Sequence, residues 1–381
     1  MRRWNELLRS PRLIEELSRS HFALNTTTRC QHRCAYCFMK EHSADLDLSP
    51  SDVQAFILRI AKKCDAVLFM GAEPTLNPNI VEHIAFCVEN GLQALISTNA
   101  LRFKSIAFLR RCIDAGLSAI ELSFPYPNED IYSAITGRTK KGYSSLLSAL
   151  DNINTVNAEV RADSSTKNLL GVNVNLVVSQ YNYLNLRDVL NALAQHMPDT
   201  DFFVTMRGVN PFSHSSKGME EFCSRYFVPL LMLKRVFSEL LEDWPYSFPV
   251  IFRGIPLCAT PGHEDLHVSL LYHIAGAESR FVLENVRDQS VVGRCHQWKI
   301  LCRQDEVMPE CLRCNLEKVC LDRFALGFDS SPLNRPVPSN REIGELLASM
   351  GIPEYARQDL IENPPPYTDE VPAASEDPAY L

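Results

Sequence analysis

The chain has 381 residues, of which 46% are hydrophobic, and a formal net charge of −8 at pH 7. A chain of this length exceeds what one compact core usually serves, so we expect one large domain and a smaller one. The acidic balance, without a long lysine or arginine run, disfavours nucleic acid as a partner, and no apolar stretch reaches the roughly 18 to 20 residues of a membrane span.

Residues 1–20 predict an amphipathic N-terminal helix without the apolar core of a secretory signal. We therefore expect a cytoplasmic protein, in which thiols stay reduced. In that compartment, clustered members of the 13 cysteines are interpreted as metal ligands or catalysts before they are interpreted as disulfides. Three isolated cysteines, Cys64, Cys87 and Cys112, stand in apolar or helical surroundings and are predicted to be small buried hydrophobes.

Between residues 22 and 207, short apolar segments alternate with segments of helical spacing. The predicted strands are 22–27, 66–70, 94–98, 119–124, 172–178 and 202–206, and the predicted helices are 51–62, 79–89, 105–115, 143–156 and 186–194. Such alternation implies right-handed crossovers and a parallel sheet. Six units fall short of the eight that close a barrel. The expected fold is therefore α/β, a partial (β/α)6 TIM-like barrel over residues 21–212, with a flat doubly wound sheet as the alternative.

Three cysteines follow the first predicted strand with the spacing C-x3-C-x2-C, at Cys30, Cys34 and Cys37. A closed structural zinc site usually has four cysteine or histidine ligands, whereas three thiolates leave one coordination position open. We interpret the loop as an iron–sulfur site with one iron available to a small molecule, although the usual cubane has four thiolates. The alternatives are ordinary surface thiols, or a zinc site completed by a histidine. The candidate histidines are His21, His32 and His42.

Polar residues also end the next three predicted strands. Residues 71–75, with the sequence Gly-Ala-Glu-Pro-Thr, follow the second strand, residues 97–100, Ser-Thr-Asn-Ala, end the third, and Ser123 ends the fourth. In either candidate fold, ligands gather at the carboxyl ends of the strands. We therefore expect these residues to share one rim of the sheet with the three cysteines.

From about residue 213 the alternation stops, and a long helical segment is predicted over 220–242. Residues 213–328 are expected to form a smaller cysteine-rich C-terminal region, and the proline-rich, acidic residues 329–381 to form a flexible tail. A second cluster in this region has the spacing C-x2-C-x5-C. Its cysteines are Cys311, Cys314 and Cys320, preceded by Cys258, Cys295 and Cys302. Because ligand type does not separate zinc from iron–sulfur at thiolate-rich sites, a structural zinc site is an alternative to a second iron–sulfur cluster.

The cysteine loop, the Gly-Ala-Glu-Pro turn and the Ser-Thr-Asn turn, in this order, resemble the radical S-adenosylmethionine (radical SAM) enzymes over about residues 20–210. The resemblance implies that Cys30, Cys34 and Cys37 hold a [4Fe–4S] cluster. It further implies that the amino and carboxylate groups of S-adenosylmethionine bind the open iron. Reductive cleavage then yields a 5′-deoxyadenosyl radical that takes hydrogen from the substrate, with flavodoxin or ferredoxin as the reductant.

The resemblance also assigns contacts to the cofactor. Tyr36 is implied to pack near the adenine, and the turn at residues 71–75 to lie near the ammonium group. The implied contacts are Tyr36, Gly71, Glu73, Pro74, Thr98, Asn99, Ser123 and Asn175, of which the last four face the ribose and carboxylate. The family's turn is usually Gly-Gly-Glu-Pro, and Ala72 fits there only if its position needs no positive φ. Residues 120–124 and 135–138 resemble family members that modify peptides or build cofactors.

The second cysteine cluster resembles part of the SPASM domain and of its shorter relative, the twitch domain. Because the SPASM pattern places a further cysteine where Phe324 stands, we expect one auxiliary [4Fe–4S] cluster. Its expected ligands are Cys258, Cys311, Cys314 and Cys320, with Cys295 or Cys302 as replacements for Cys258.

This kind of extension implies a ribosomally synthesised peptide as substrate. A small molecule or cofactor precursor, and a non-catalytic metal-binding scaffold, are the alternatives. Tyr126, Arg138 and Arg207 lie near the predicted rim, but the sequence assigns no substrate-binding residue.

Overall fold

The computed structural model describes residues 21–37, 47–62, 64–163, 169–209, 222 and 225–255, with short pieces at 259–260, 263, 266–267, 280–284 and 291–296. The predicted N-terminal helix, the tail and the expected auxiliary-cluster ligands lie outside the described residues. Those ligands are Cys258, Cys302, Cys311, Cys314 and Cys320. Cys295 lies in a described strand, but its side chain is not described.

One sheet organises the described residues. Its strands are β1 (His21–Asn25), β2 (Ala66–Met70), β3 (Gln93–Thr98), β4 (Leu117–Ser123), β5 (Gly171–Val178), β6 (Phe202–Gly208), β7 (Val250–Arg253), β8 (Arg280–Glu284) and β9 (Val291–His296). The spatial order is β7-β6-β5-β4-β3-β2-β1-β8-β9. The first seven strands are parallel, β8 is parallel to β1, and β9 is antiparallel to β8.

The strand order decides between the two predicted folds. A doubly wound sheet reverses its strand order at a switch point, whereas β1 to β7 follow one another in space as they do in sequence. The fold is therefore an open, partial α/β barrel, as predicted. It has a seventh parallel strand, β7, that the predicted six units did not include.

The helices connect the strands. They are α1 (Pro50–Ile60), α2 (Ile80–Glu89), α3 (Ile106–Asp114), α4 (Glu129–Thr136), α5 (Lys141–Ala162), α6 (Leu186–His196) and α7 (Leu230–Glu242), with 3-10 turns at Pro74–Leu76, Leu101–Lys104 and Tyr183–Asn185. The sequence did not predict α4. Of the helix predicted over 220–242, the described residues 222, 225 and 226 are helical, and α7 begins at Leu230 after a break at 227–229, with Pro229 at its N-cap position and with extended ψ. In the described part of the chain, no helix combines the length and apolar character that crossing a membrane requires.

The two faces of the sheet differ in composition. Alternate residues such as Val174 and Val204 pack with the helices into the main core, where Cys87 and Cys112 are buried as predicted. Cys64 is half-buried and packs against this core. The opposite, concave face carries a small separate apolar cluster near the amino ends of the strands, formed by Ala66, Leu68, Leu95 and Ala119. Polar side chains follow toward the carboxyl ends, so the functional groups collect at one rim.

The buried histidine of α2 makes stability depend on pH. The ring of His83 is 2% exposed, stacks on Phe69 with centroids 6.5 Å apart, and has an Nε2 atom without a hydrogen-bond partner. Burial lowers the pKa of His83 to about 4. Between about pH 6.5 and pH 4, the unfolded chain binds a proton at this site and the folded chain does not. The free energy of unfolding therefore decreases as the pH is lowered through this window.

We expect His83→Phe to reduce the stability lost between pH 7.5 and pH 5 by about 2 kcal/mol relative to wild type. Urea unfolding of both proteins at the two pH values measures this difference. Equal pH dependence in wild type and His83→Phe would contradict the prediction.

Candidate functional site

The cysteine loop is held on one side by the end of α4. The amide of Arg33 donates to the carbonyl oxygen of Thr136 at 2.8 Å, and the amide of Ala35 donates to that of Ile135 at 2.8 Å. Helix α4 ends at Gly137, which has a φ of 64°. The last carbonyls of a helix have no partner within it, so here they bind the loop.

A charged pair holds the start of the loop on the other side. The guanidinium of Arg29 binds the carboxylate of Asp47 and donates to the carbonyl oxygen of Leu76 at 2.6 Å. The hydroxyl of Thr27 donates to the same carboxylate at 2.6 Å. No sequence pattern predicts this network, because Arg29 and Asp47 belong to no motif.

The three thiols are half-buried. Burial is the main cause that raises the pKa of Cys30 to about 12, and the negative charges of Glu73 and Cys37 add to it. Burial also raises the pKa of Cys34, and the other two thiols add to it. Thiols with raised pKa values are poor nucleophiles, whereas a cationic metal cluster stabilises several thiolates at once. The surroundings therefore favour metal binding over a reactive thiol.

The proposed histidine ligands fit less well than an open site. His32 is buried, its Nε2 lies 3.0 Å from the hydroxyl of Tyr132, and burial lowers its pKa to about 4. His21 begins β1, at the strand end opposite the loop, and His42 lies outside the described residues. Among the described residues, no three His, Cys, Asp or Glu side chains converge closely enough for one metal ion. A cubane spreads its thiolates over separate irons, so these residues fit a three-cysteine cluster.

Gly71 lets the second turn pack against the segment that leads into the cysteines. Its φ is 129°, and a Cβ placed there would lie 2.5 Å from the carbonyl oxygen of Thr27. The next amide, of Ala72, donates to that same oxygen at 3.0 Å. Ala72 is not among the described residues with positive φ, so an alanine fits this position, as the sequence required.

Replacing Gly71 with alanine is expected to lower the free energy of unfolding by about 3 kcal/mol, because the methyl group strains φ and collides with backbone. Gly91→Ala is the matched control. Gly91 also has a positive φ, of 80°, but nothing lies within 4 Å of its would-be Cβ. We expect that control to cost about 1 kcal/mol in chemical denaturation, and equal losses in the two variants would contradict the role of the contact.

The carboxylate of Glu73 joins the turns after β2 and β3. Its Oε1 accepts from the amide and hydroxyl of Thr75 and from the hydroxyl of Thr98, and its Oε2 accepts from the amide of Asn99 at 2.8 Å. The side chain is 1% exposed, and burial raises its pKa while these hydrogen bonds lower it. Both carboxylate oxygens of Glu73 therefore accept hydrogen bonds from protein groups, and these bonds position the two turns. Pro74 is buried and opens the 3-10 turn beside it.

Asn99 connects the turn after β3 to the cysteine loop. Its Oδ1 accepts from Nε2 of Gln31 at 3.0 Å and from the amide of Leu101 at 3.1 Å. Its Nδ2 lies 3.8 Å from Sγ of Cys30, and hydrogen bonds to cluster sulfurs tune reduction potential. The turn is held by Ala100, which has a φ of 59° and is the one non-glycine residue with positive φ in the described ranges.

The remaining predicted contacts lie farther along the same rim. Ser123 and Asn175 are in register on β4 and β5. The Nδ2 of Asn175 donates to Oε2 of Glu121 at 3.3 Å, while its buried Oδ1 has no hydrogen-bond partner. Tyr36 is 9% exposed and packs edge-on against Tyr226 with centroids 6.1 Å apart, so most of its ring contacts protein.

Comparison with known proteins identifies a family that part of this chain resembles. The radical SAM superfamily matches residues 24–175. The 7,8-dihydro-6-hydroxymethylpterin dimethyltransferase of Methanocaldococcus jannaschii is 29% identical over 121 residues, which are 30% of this chain and 24% of that protein. The PqqA peptide cyclase of Methylorubrum populi is 34% identical over 105 residues, which are 26% of each chain.

A solved structure is similar over most of its length. It is native anSMEcpe with bound AdoMet and Kp18Cys peptide, with a TM-score of 0.52 and 14% identity, covering 90% of this chain and 98% of that chain. At this identity the likeness shows the fold. The match spans only about a quarter of each of the two sequence relatives, 24% and 26%. Residues 24–175 of this chain are similar to the radical SAM superfamily, whose members are iron–sulfur enzymes.

Proposed function

We propose that this protein is a radical SAM enzyme in which Cys30, Cys34 and Cys37 hold a [4Fe–4S] cluster and S-adenosylmethionine binds its open iron. The observation that carries the proposal is the placement of three thiols on a loop that α4, the turn at residues 71–75 and the turn at residues 97–100 all hold in place. When bound, the cluster supplies the electron that cleaves S-adenosylmethionine reductively to a 5′-deoxyadenosyl radical, which takes a hydrogen atom from the substrate.

The chain's own groups prepare the site for a cationic cofactor. The buried carboxylate of Glu73 has no ion pair within the described residues and lies near the thiolates, so a nearby ammonium or sulfonium group is favoured electrostatically. Thr98 and Asn99 are held by Glu73 beside Cys30. The unpartnered Oδ1 of Asn175 is an acceptor for a cofactor or substrate hydroxyl or amide.

The substrate we propose is a ribosomally synthesised peptide. The cyclase relative is named for a peptide, and the solved structure of the same fold contains one. A small molecule or cofactor precursor is the second candidate, because the other relative is named for a pterin. The proposal includes an auxiliary cluster at Cys258, Cys311, Cys314 and Cys320, flavodoxin or ferredoxin as reductant, and a cytoplasmic location.

Anaerobically reconstituted protein, mixed with S-adenosylmethionine and dithionite, tests the enzyme directly. We expect 5′-deoxyadenosine and methionine in equal amounts, measured by liquid chromatography and mass spectrometry. Zinc without iron in the purified protein, together with no product, would contradict the proposal and support a non-catalytic scaffold. If a candidate peptide raises 5′-deoxyadenosine formation and a pterin does not, the peptide assignment is supported, and the reverse would support the second candidate.

A further inference from the structure

Two N–H donors face the sulfur of the first cysteine in the loop. The backbone amide of His32 lies 3.3 Å from Sγ of Cys30, and Nδ2 of Asn99 lies 3.8 Å from the same atom. Cysteine sulfur is a weak acceptor that becomes stronger when it is ionised. The amide of His32 belongs to the loop itself, whereas Asn99 belongs to the turn after β3. The second donor therefore depends on what holds the side chain of Asn99.

The hydrogen bonds of Asn99 decide which end of its side-chain amide faces Cys30. The backbone amide of Leu101 lies 3.1 Å from Oδ1 of Asn99, and a backbone N–H group can only donate. That contact identifies the end of the side chain near Leu101 as the oxygen, so the end near Cys30 is the NH2 group. The reversed amide would place an oxygen beside the sulfur and an NH2 group against the N–H of Leu101.

Gln31 completes this arrangement from the cysteine loop. Its Nε2 donates to Oδ1 of Asn99 at 3.0 Å, so that oxygen accepts from two sides. The backbone amide of Asn99 is held as well, because it donates to Oε2 of Glu73 at 2.8 Å. With its backbone and its oxygen both held, the side chain of Asn99 keeps its NH2 group against Cys30. Gln31 directly follows Cys30 in the sequence, so one loop carries both the sulfur and the group that aims a donor at it.

We propose that Gln31 is a positioning residue that holds the amide of Asn99 against Cys30 and thereby raises the reduction potential of a cluster bound there. A reduced cluster carries one more negative charge, which its sulfurs share. An N–H donor therefore stabilises the reduced state more than the oxidised state. Groups that orient the surroundings of a metal ligand tune the metal in this way. The inference rests on the proposed function for the cluster and adds a residue that sets how readily the cluster accepts its electron.

Redox titration of anaerobically reconstituted protein, followed by electron paramagnetic resonance, tests the inference without turnover. The signal that is absent from Cys34→Ala belongs to the three-cysteine cluster. Gln31→Met keeps the length of the side chain and removes its donor, so we expect a more negative midpoint potential. At the wild-type midpoint, the ratio of reduced to oxidised cluster is expected to fall at least about threefold, as for partial loss of one hydrogen bond. Gln54→Met, on the exposed face of α1, is the matched control with an unchanged potential.

A double variant separates positioning from other effects of the substitution. Asn99→Ala removes the donor itself and is expected to shift the potential at least as far as Gln31→Met. Because Gln31 acts through Asn99, adding Gln31→Met to Asn99→Ala is expected to cause no further shift. Equal potentials in wild type and Gln31→Met, or additive shifts in the double variant, would overturn the inference. Gln31→Leu replaces the methionine variant if that variant loses iron, and loss of iron from both would show that Gln31 retains the cluster and does not tune it.

The result is distinguishable from the test of the proposed function. The titration needs a bound cluster but no S-adenosylmethionine. The predicted shift in a protein that forms no 5′-deoxyadenosine would support the inference and contradict the proposed function. Cleavage of S-adenosylmethionine by a protein whose potential does not respond to Gln31→Met would overturn the inference alone. Wild-type protein that binds no cluster would overturn both.

Discussion

Replacing Cys34 with alanine is expected to remove about four iron atoms per chain and to lower 5′-deoxyadenosine formation at least about a thousandfold. Cys34 lies between the other two thiols on a loop whose backbone is fixed by the end of α4, so no neighbouring thiol within the described ranges can replace it. Two thiolates do not hold a cubane against loss of iron. Iron and sulfide assays of anaerobically reconstituted protein measure the first effect, and chromatography measures the second.

Cys64→Ala is the control for this prediction. Cys64 is a half-buried cysteine before β2, and its thiol lies 3.3 Å from the carbonyl oxygen of Ala66, at the strand ends opposite the cysteine loop. We expect its iron content to equal that of wild type. Full iron content in Cys34→Ala would show that the cluster is held elsewhere.

Replacing Glu73 with alanine is expected to lower the free energy of unfolding by about 3 kcal/mol and to weaken S-adenosylmethionine binding at least about tenfold. The reason is that the donors of Thr75, Thr98 and Asn99 lose a buried acceptor and the turn after β3 loses its anchor. We expect the cluster's iron to remain, since the thiols are untouched. Chemical denaturation and equilibrium binding of S-adenosylmethionine measure the two losses.

Two further variants separate charge from shape. Glu73→Gln keeps the size of the side chain but turns one acceptor into a donor that faces other donors, so we expect a loss of about 2 kcal/mol. Glu82→Gln, on the exposed face of α2, should match wild type. Wild-type stability and binding in Glu73→Gln would show that the carboxylate does not hold the turns together.

Much of the fold follows from local sequence patterns. The apolar run at β2 is observed over the residues predicted for it, because a strand buried on both faces needs an unbroken apolar segment. The sequence did not predict helix α4 because the helix has only 8 residues, and of these only Tyr132, Ile135 and Thr136 are buried. Strand β7 has only four residues, and Pro245 and Pro249 interrupt the alternating aromatic segment before it, so the sequence pattern there does not indicate a strand.

The candidate site, too, was predictable from the sequence only in part. Thiol spacing and the two turns are local features, so the sequence located them at one rim. The contacts that hold them are between distant residues, such as Arg29 with Asp47 and Asn99 with Gln31, and no spacing rule predicts those pairs. The expected direct contact of Glu73 with the cofactor ammonium stays a proposal, because the structure shows its carboxylate bound to protein donors.

The open coordination position that we propose for the three-cysteine site is tested most directly by electron–nuclear double resonance on the reduced protein. The sample contains S-adenosylmethionine labelled with ¹⁵N in its amino group and ¹⁷O in its carboxylate. We predict hyperfine coupling of both nuclei to the cluster of wild-type protein, and none in Cys34→Ala. An iron–sulfur signal without coupling to either label would mean that the cluster has no open iron and would contradict the proposed site.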